Sequence, residues 1–262
     1  MVIIEWNEIM KGRFEVWEQL EQLKKKVDEI RPLQPDFMKT LMRKFREEWT
    51  YHSNAIEGNT FTYQETVFFL REGLTVKGKS LREHLEIVNH AEAIDFLQDA
   101  LKQSDLSERF IKDIHAILFQ GVKEIDFSTG DYKKVDNHVL TVSGVIHKYC
   151  PAIHVQQEME NLLAWYHLEK SRMHPIEIAA LFHHKFTAIH PFTDGNGRVS
   201  RLCMNFILIQ QGYPPAVIRN ENRLEYYQAL EKADLSEQAP FISLIAEEVK
   251  RSLQTMIDVL QS

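Results

Sequence analysis

Two apolar runs, Ile178 to Ile189 and Leu202 to Ile209, bracket a strongly polar insert that opens at His190 and closes at Arg201. Apolar stretches of this kind are driven into the interior, so any fold of this chain must hold the insert rigidly between two core segments. The insert reads His190-Pro191-Phe192-Thr193-Asp194-Gly195-Asn196-Gly197-Arg198 and then reaches Arg201. Its glycines let backbone N–H groups turn inward as an anion-binding nest, and the next helix begins there with its positive end toward the loop. The side chains suit phosphate chemistry. An imidazole titrates near ~6.5, so neutral His190 can take a proton from a hydroxyl. Asp194 is a hard oxygen ligand of the kind that holds Mg²⁺ beside substrate phosphates. Arg198 and Arg201 stand one helical turn apart and can grip phosphate oxygens together. Neither a GxxxxGK(S/T) phosphate loop nor an HExxH zinc signature occurs, which separates the insert from those two chemistries.

The string HPFTDGNGRVSR resembles the HxFx(D/E)GNGRxxR signature of the Fic family, whose members transfer AMP from ATP to protein hydroxyls. The resemblance extends outward over residues 40 to 250, and its downstream half is most similar to the metazoan endoplasmic-reticulum branch. It implies His190 as the base and Asp194 as the ligand of a magnesium ion that accompanies ATP. It also implies Gly195, Asn196 and Gly197 as the phosphate cradle, and Arg198 and Arg201 as clamps on the β and γ groups. Upstream, Ser53 and Glu57 lie one helical turn apart in Ser53-Asn54-Ala55-Ile56-Glu57-Gly58-Asn59, and Gly58-Asn59 is a natural helix stop. Read alone, this is equally a solvent-facing helix end. Beside the loop it resembles the (S/T)xxxE(G/N) inhibitory motif of the family, in which the glutamate pairs with the second arginine of the loop, here Arg201.

The rest of the chain reads as helix. Val16, Leu20, Leu23, Val27 and Ile30 form a short heptad seam, better suited to packing on the core than to a coiled coil, and Pro32 and Pro35 end it. Further helices are expected over 37–57, 63–72, 80–103, 107–120, 155–169, 175–189, 197–211, 221–234 and 240–260. One segment differs. His138 to Tyr149 is rich in β-branched residues around Ser143-Gly144 and reads as a hairpin. In the family a hairpin flap at this place pairs its edge with the target segment, which points to Leu140, Thr141, Val142 and Ser143 as target or nucleotide contacts. Lys133 stands where the family often carries arginine. Tyr226 and Tyr227 fall where the family packs against the base and ribose. Asp234 stands where the metazoan relative has asparagine, which leaves nucleobase preference open.

The expected fold is therefore all-α, a helical Fic core with one short β-hairpin flap. Residues 1–104 form an N-terminal helical region with the inhibitory helix at about 37–58, and residues 105–262 form the core. A 262-residue chain with 44% apolar content can bury such a core, and a net charge of −7 without a basic run argues against nucleic acid as partner. The start of the chain has no signal-peptide core, and no apolar run is long enough to span a membrane. Two cysteines, Cys150 and Cys203, suggest no disulfide framework, so a cytoplasmic location is expected. The implied activity is an autoinhibited protein adenylyltransferase acting on Ser, Thr or Tyr of an unidentified target protein. Self-modification and a homodimer both stay open. The competing activity is that of a bifunctional or predominantly AMP-removing hydrolase, with Glu57 orienting water.

Overall fold

The computed structural model describes the backbone of residues 2–122, 129–140 and 144–261, and within these the side chains from residue 16 to 260. Thr141, Val142 and Ser143, expected at the tip of the flap, lie outside the described residues. Among the described residues ten α-helices run in chain order: α1 (Val2–Glu29), α2 (Pro35–Ile56), α3 (Tyr63–Glu72), α4 (Leu81–Ala100), α5 (Glu108–Leu118), α6 (Val155–Glu169), α7 (Pro175–Ile189), α8 (Asn196–Gln210), α9 (Arg223–Asp234) and α10 (Ala239–Gln261). Two strands, β1 (His138–Leu140) and β2 (Ile146–Lys148), form an antiparallel pair with Val139 opposite His147. The chain is all-α with one hairpin, as its sequence pattern implies.

Local chemistry sets the helix boundaries. Pro35 and Pro175 occupy the first turns of α2 and α7, where a missing N–H costs nothing. Thr62 with Glu65 and Ser80 with Glu83 form reciprocal capping boxes that start α3 and α4, and Ser107 caps α5. Gly73 ends α3 in the left-handed conformation.

Helices α7 and α8 form the central antiparallel pair, wrapped by α2, α4, α5, α6, α9 and α10. Nearly all of α8 is buried, including Leu202, Cys203, Met204, Phe206 and Leu208. Phe182, Phe186, Phe192 and Phe206 are fully enclosed, each burial contributing roughly 1.5–3 kcal/mol of apolar transfer. The seam of α1 packs on α10, with Leu20 and Val27 fully buried while Ile30 stays exposed. The polar insert is thus a tight connection between two buried core helices.

Candidate active site

Helix α7 ends at His190, whose backbone takes the left-handed conformation (φ 54°, ψ 59°) while its N–H still bonds Phe186 O. That conformation is uncommon for a residue with a side chain and turns the imidazole out of the helix. Nδ1 lies 3.3 Å from Thr187 O. A carbonyl can only accept, so Nδ1 carries the proton and Nε2 keeps a free lone pair. The ring stacks on Tyr149, with centroids 3.7 Å apart and planes within 13°. Burial pushes the His190 pKa down to about 4, and the nearby Lys133 charge adds to the effect. His190 is accordingly neutral across the physiological range, as a base must be.

The loop is held from within and below. Asn196 donates to Phe192 O and accepts from Phe192 N, both at 2.8 Å. Its side-chain oxygen and one amide N–H are therefore used to close the turn. His115 on α5 accepts from Gly130 N through Nδ1 at 2.9 Å, so its Nε2 donates to Asp194 O at 3.3 Å. The same ring stacks on Phe192 at 3.9 Å. Gly195 has φ 76°, and a Cβ placed there would come within 2.5 Å of the Phe119 ring. The backbone amides at the start of α8 thus face the loop, where the helix dipole favours an anion.

The two arginines have different surroundings. Arg198 is buried over the Phe119 ring, 3.7 Å from Glu86, and its Nε has no hydrogen-bond partner. Arg201 is almost fully engaged. Its Nε donates to Ser53 Oγ at 3.0 Å, and its Nη2 donates to Ser53 O at 3.0 Å and to Glu57 Oε1 at 2.7 Å. Nη1 reaches Tyr226 Oη at 3.4 Å. Ser53 and Glu57 come from the last turn of α2 and its cap, so the helix end expected from sequence faces the cleft. Arg201 keeps 3% side-chain exposure and Glu57 keeps 32%, so the pair is half-buried, with the carboxylate on the open side. Burial raises the Glu57 carboxyl pKa, but Arg201 and Arg198 together outweigh it and hold the group below its ordinary value. On Arg201 burial acts downward and Glu57 more than offsets it, so the guanidinium stays charged.

Asp194 is 41% exposed, accepts from Gly195 N at 2.6 Å and lies 3.6 Å from Arg82 of α4. A single accessible carboxylate beside a phosphate nest fits magnesium, which commonly takes one or two carboxylates and completes its shell with phosphate and water.

His190, Gly197, Glu57, Tyr226, Tyr227 and Asp234 line one cleft of about 810 Å³, with Leu140 of the flap at its wall. Tyr226 is buried and bonds Arg201 and His183, whereas Tyr227 is half-buried and lies under Arg223. Of the paired tyrosines, Tyr226 bonds the arginine and Tyr227 is the more exposed on the cleft wall. Asp234 accepts from His184 Nε2 at 2.9 Å and lies 3.7 Å from His147 on β2. Tyr149, His115, Phe119 and His184 escape the sequence reading. Each acts on a loop or cleft residue distant in sequence, and only the aromatic character of Tyr149 at the end of the hairpin hints at a role.

The Fic/DOC family model matches residues 105–208. A Fic-domain-containing signaling protein from Bacteroides thetaiotaomicron VPI-5482 is 32% identical and superposes with a TM-score of 0.88, over 93% of this chain and 97% of that one. The chain belongs to the Fic/DOC family. Fic-1 from Caenorhabditis elegans superposes on this Fic protein with a TM-score of 0.84 at 28% identity, over 99% of this chain and 77% of that one. Among curated relatives, the protein adenylyltransferase fic-1 of Caenorhabditis briggsae is 33% identical over 227 residues, which is 86% of this chain. The match spans only 44% of that relative's length. No helix among the described residues is long and apolar enough to cross a membrane.

Proposed function

We propose that this Fic protein transfers AMP from ATP to a hydroxyl of a target protein and that Glu57 restrains it by occupying Arg201. The observation that carries the reading is one cleft lined by a neutral His190 with a free Nε2 and by Glu57, whose carboxylate is bonded to the buried Arg201 that Ser53 also engages. The names of the relatives, protein adenylyltransferases, support the same reaction class.

In this mechanism the target strand lies along the flap edge and brings a Ser, Thr or Tyr hydroxyl to His190 Nε2. The imidazole accepts the hydroxyl proton as the oxygen attacks the α-phosphorus. The bond from the α-phosphorus to the bridging oxygen breaks, and pyrophosphate departs with that electron pair. The α8 amides and Arg198 stabilise the negative charge, which is where phosphoryl chemistry draws most of its catalysis. Asp194 would hold magnesium, which supplies further charge neutralisation on the polyphosphate. Tyr227 offers a face to the base, and the Asp234 carboxylate, tied to His184, borders the same end of the cleft. While Glu57 holds Arg201, the γ-phosphate has neither its cation nor relief from a facing carboxylate, so ATP cannot settle with the α-phosphorus in line. For location we keep the cytoplasm, on the free thiols Cys150 and Cys203.

A second reading rests on Glu57 itself. It bonds Arg201 through Oε1 and keeps 32% side-chain exposure, so its second oxygen is the one we assign to orienting a water for removal of AMP from a modified protein. Labelled ATP and a labelled AMP-protein, each incubated with wild type, Glu57→Gly and His190→Ala, test both readings. AMP transfer should rise at least about tenfold in Glu57→Gly, a change of only ~1.4 kcal/mol in the barrier, and should vanish in His190→Ala. The lock is falsified if Glu57→Gly and wild type transfer AMP at equal rates. Loss of AMP removal in Glu57→Gly would assign that second activity to Glu57.

A further inference from the structure

Asp194 faces two arginines, and only one of them belongs to the loop. Arg198 Nη2 lies 3.9 Å from Asp194 Oδ1, and Nη2 of Arg82, in the first turn of α4, lies 3.6 Å from Oδ2. The same two cations meet again at Glu86, one turn further along α4. Arg82 Nε donates to Glu86 Oε1 at 3.1 Å, and Arg198 Nη1 lies 3.7 Å from that oxygen. The four side chains thus close a ring of alternating charge in which Arg82 and Arg198 hold equivalent places. Glu86 is its fixed member, with 14% side-chain exposure and its second oxygen accepting from Asn59 Nδ2 at 3.0 Å. Arg82 is its open member, 37% exposed, and among the described residues its Nη groups make no hydrogen bond. A planar fork of N–H donors is therefore held beside the loop by its Nε, with the outer edge still able to take an anion.

We propose that Arg82 is a third polyphosphate-binding arginine of this site, which rests on Asp194 in the nucleotide-free protein and turns its Nη pair to the β-phosphate when Mg-ATP or Mg-ADP enters. The identity of that ligand rests on the function proposed above. Coulomb repulsion drives the exchange. Arg82 could not stay against Asp194 beside a magnesium ion on the same carboxylate unless an anion lay between the two cations. A phosphate oxygen is that anion, because magnesium in such sites is held by a carboxylate and substrate phosphates together. Arg82 does not have to leave the ring to reach it. Glu86 keeps hold of Nε, and a tilt of the guanidinium about that hydrogen bond changes its outer partner from carboxylate to phosphate. Arg198, its counterpart in the ring, is the residue assigned to the β group, so the departing pyrophosphate gains a second cation from α4. AMP has no β-phosphate and offers Arg82 nothing to hold.

Calorimetric titration of the full chain with ADP and with AMP, each in magnesium and again in EDTA, tests the assignment. ADP carries no γ-phosphate, so the Glu57 contact with Arg201 does not stand in its way. In magnesium, Arg82→Met should weaken ADP about fivefold, the scale of one partly exposed charge contact, and leave AMP within about twofold. Arg82→Lys keeps the charge without the fork and should fall between wild type and Arg82→Met. In EDTA the ADP difference should shrink to about twofold or less, since Arg82 then stays on Asp194. Equal ADP affinity in wild type and Arg82→Met would make Arg82 only the i,i+4 helix partner of Glu86, and the proposal would fall. Equal losses for ADP and AMP would reveal a disturbed loop and overturn it as well. An ADP loss of the same size in EDTA overturns the exchange with Asp194 and keeps the phosphate contact. If wild type binds neither nucleotide, the function proposed above fails, and Arg82 loses its ligand with it.

Discussion

At Arg201 two roles meet that pull a single substitution in opposite directions. The guanidinium is the anchor of the Glu57 contact and is also the group to which we assign the γ-phosphate. Arg201→Ala therefore removes the restraint and the phosphate contact together. We expect that variant to stay at or below wild-type AMP transfer while Glu57→Gly rises, and radiolabel incorporation would compare them directly. If Arg201→Ala were the more active of the two, the γ-phosphate assignment would be wrong. His190 yields a second expectation at this scale. With its pKa lowered to about 4, the base is neutral above that value and becomes protonated only as pH falls through it. The pH–rate profile of kcat/KM for Glu57→Gly should thus show no acid limb near the ordinary histidine value of ~6.5. A limb there would mean that the imidazole is solvated in the working enzyme. Removing the Tyr149 ring, which stacks on His190, should move the limb up toward that value.

At the scale of elements, the connection between α7 and α8 is rigid because α5 supports it from beneath. Gly195 is the tightest point, for an alanine there meets both a left-handed backbone and the Phe119 ring. Strain and overpacking each cost about 1–3 kcal/mol, so Gly195→Ala should destabilise the protein by ~2–6 kcal/mol in urea unfolding. Phe119→Leu should recover the packing part and leave the backbone part, a coupling that a double-mutant cycle measures. The local devices of these elements were legible in the sequence. Thr62 with Glu65, Ser80 with Glu83 and Pro175 follow short-range rules for helix starts, Pro35, read from sequence as the end of one helix, opens the next, and the loop signature is contiguous. The partners of the loop were not legible. His115 and Phe119 look like ordinary apolar-face residues of α5, and their contacts with Asp194, Gly195 and Phe192 follow from packing between distant segments. His184 stands in an apolar run, and its partner Asp234 lies 50 residues further on. The Asn196 side chain illustrates the other limit. Residue type alone cannot say whether an amide serves the phosphate or the turn, and the fold commits it to Phe192.

Across the whole molecule, a chain that surrounds its arginines with apolar packing also encloses several histidines in neutral form. Burial lowers the pKa of His90 and His183 well below 6.5, with Arg201 adding to the effect in both. It lowers His115 and His190 to about 4, and it lowers His52 as well. The sign of the stability effect follows from proton counting. Above 6.5 neither the folded nor the unfolded chain holds these protons. Between 6.5 and the depressed folded values the unfolded chain binds them and the folded chain does not, so unfolding takes up protons and stability falls as pH falls. Each proton contributes about 1.4 kcal/mol per pH unit inside that window, enough for a few histidines to remove a large share of a marginal stability of roughly 5–15 kcal/mol. Stability should therefore be level from pH 7 to 8 and decline from pH 6.5 toward 4, before Glu57 and Glu83, whose pKa values are also lowered, begin to contribute. Calorimetric unfolding at pH 5.5 in buffers of different ionisation enthalpy counts the protons directly. An uptake of several protons is expected, and an uptake near zero would mean that these rings are hydrated in the native protein. His183→Gln should reduce the uptake by close to one, because it removes a buried imidazole whose neutral form is held by Ser200 and Tyr226.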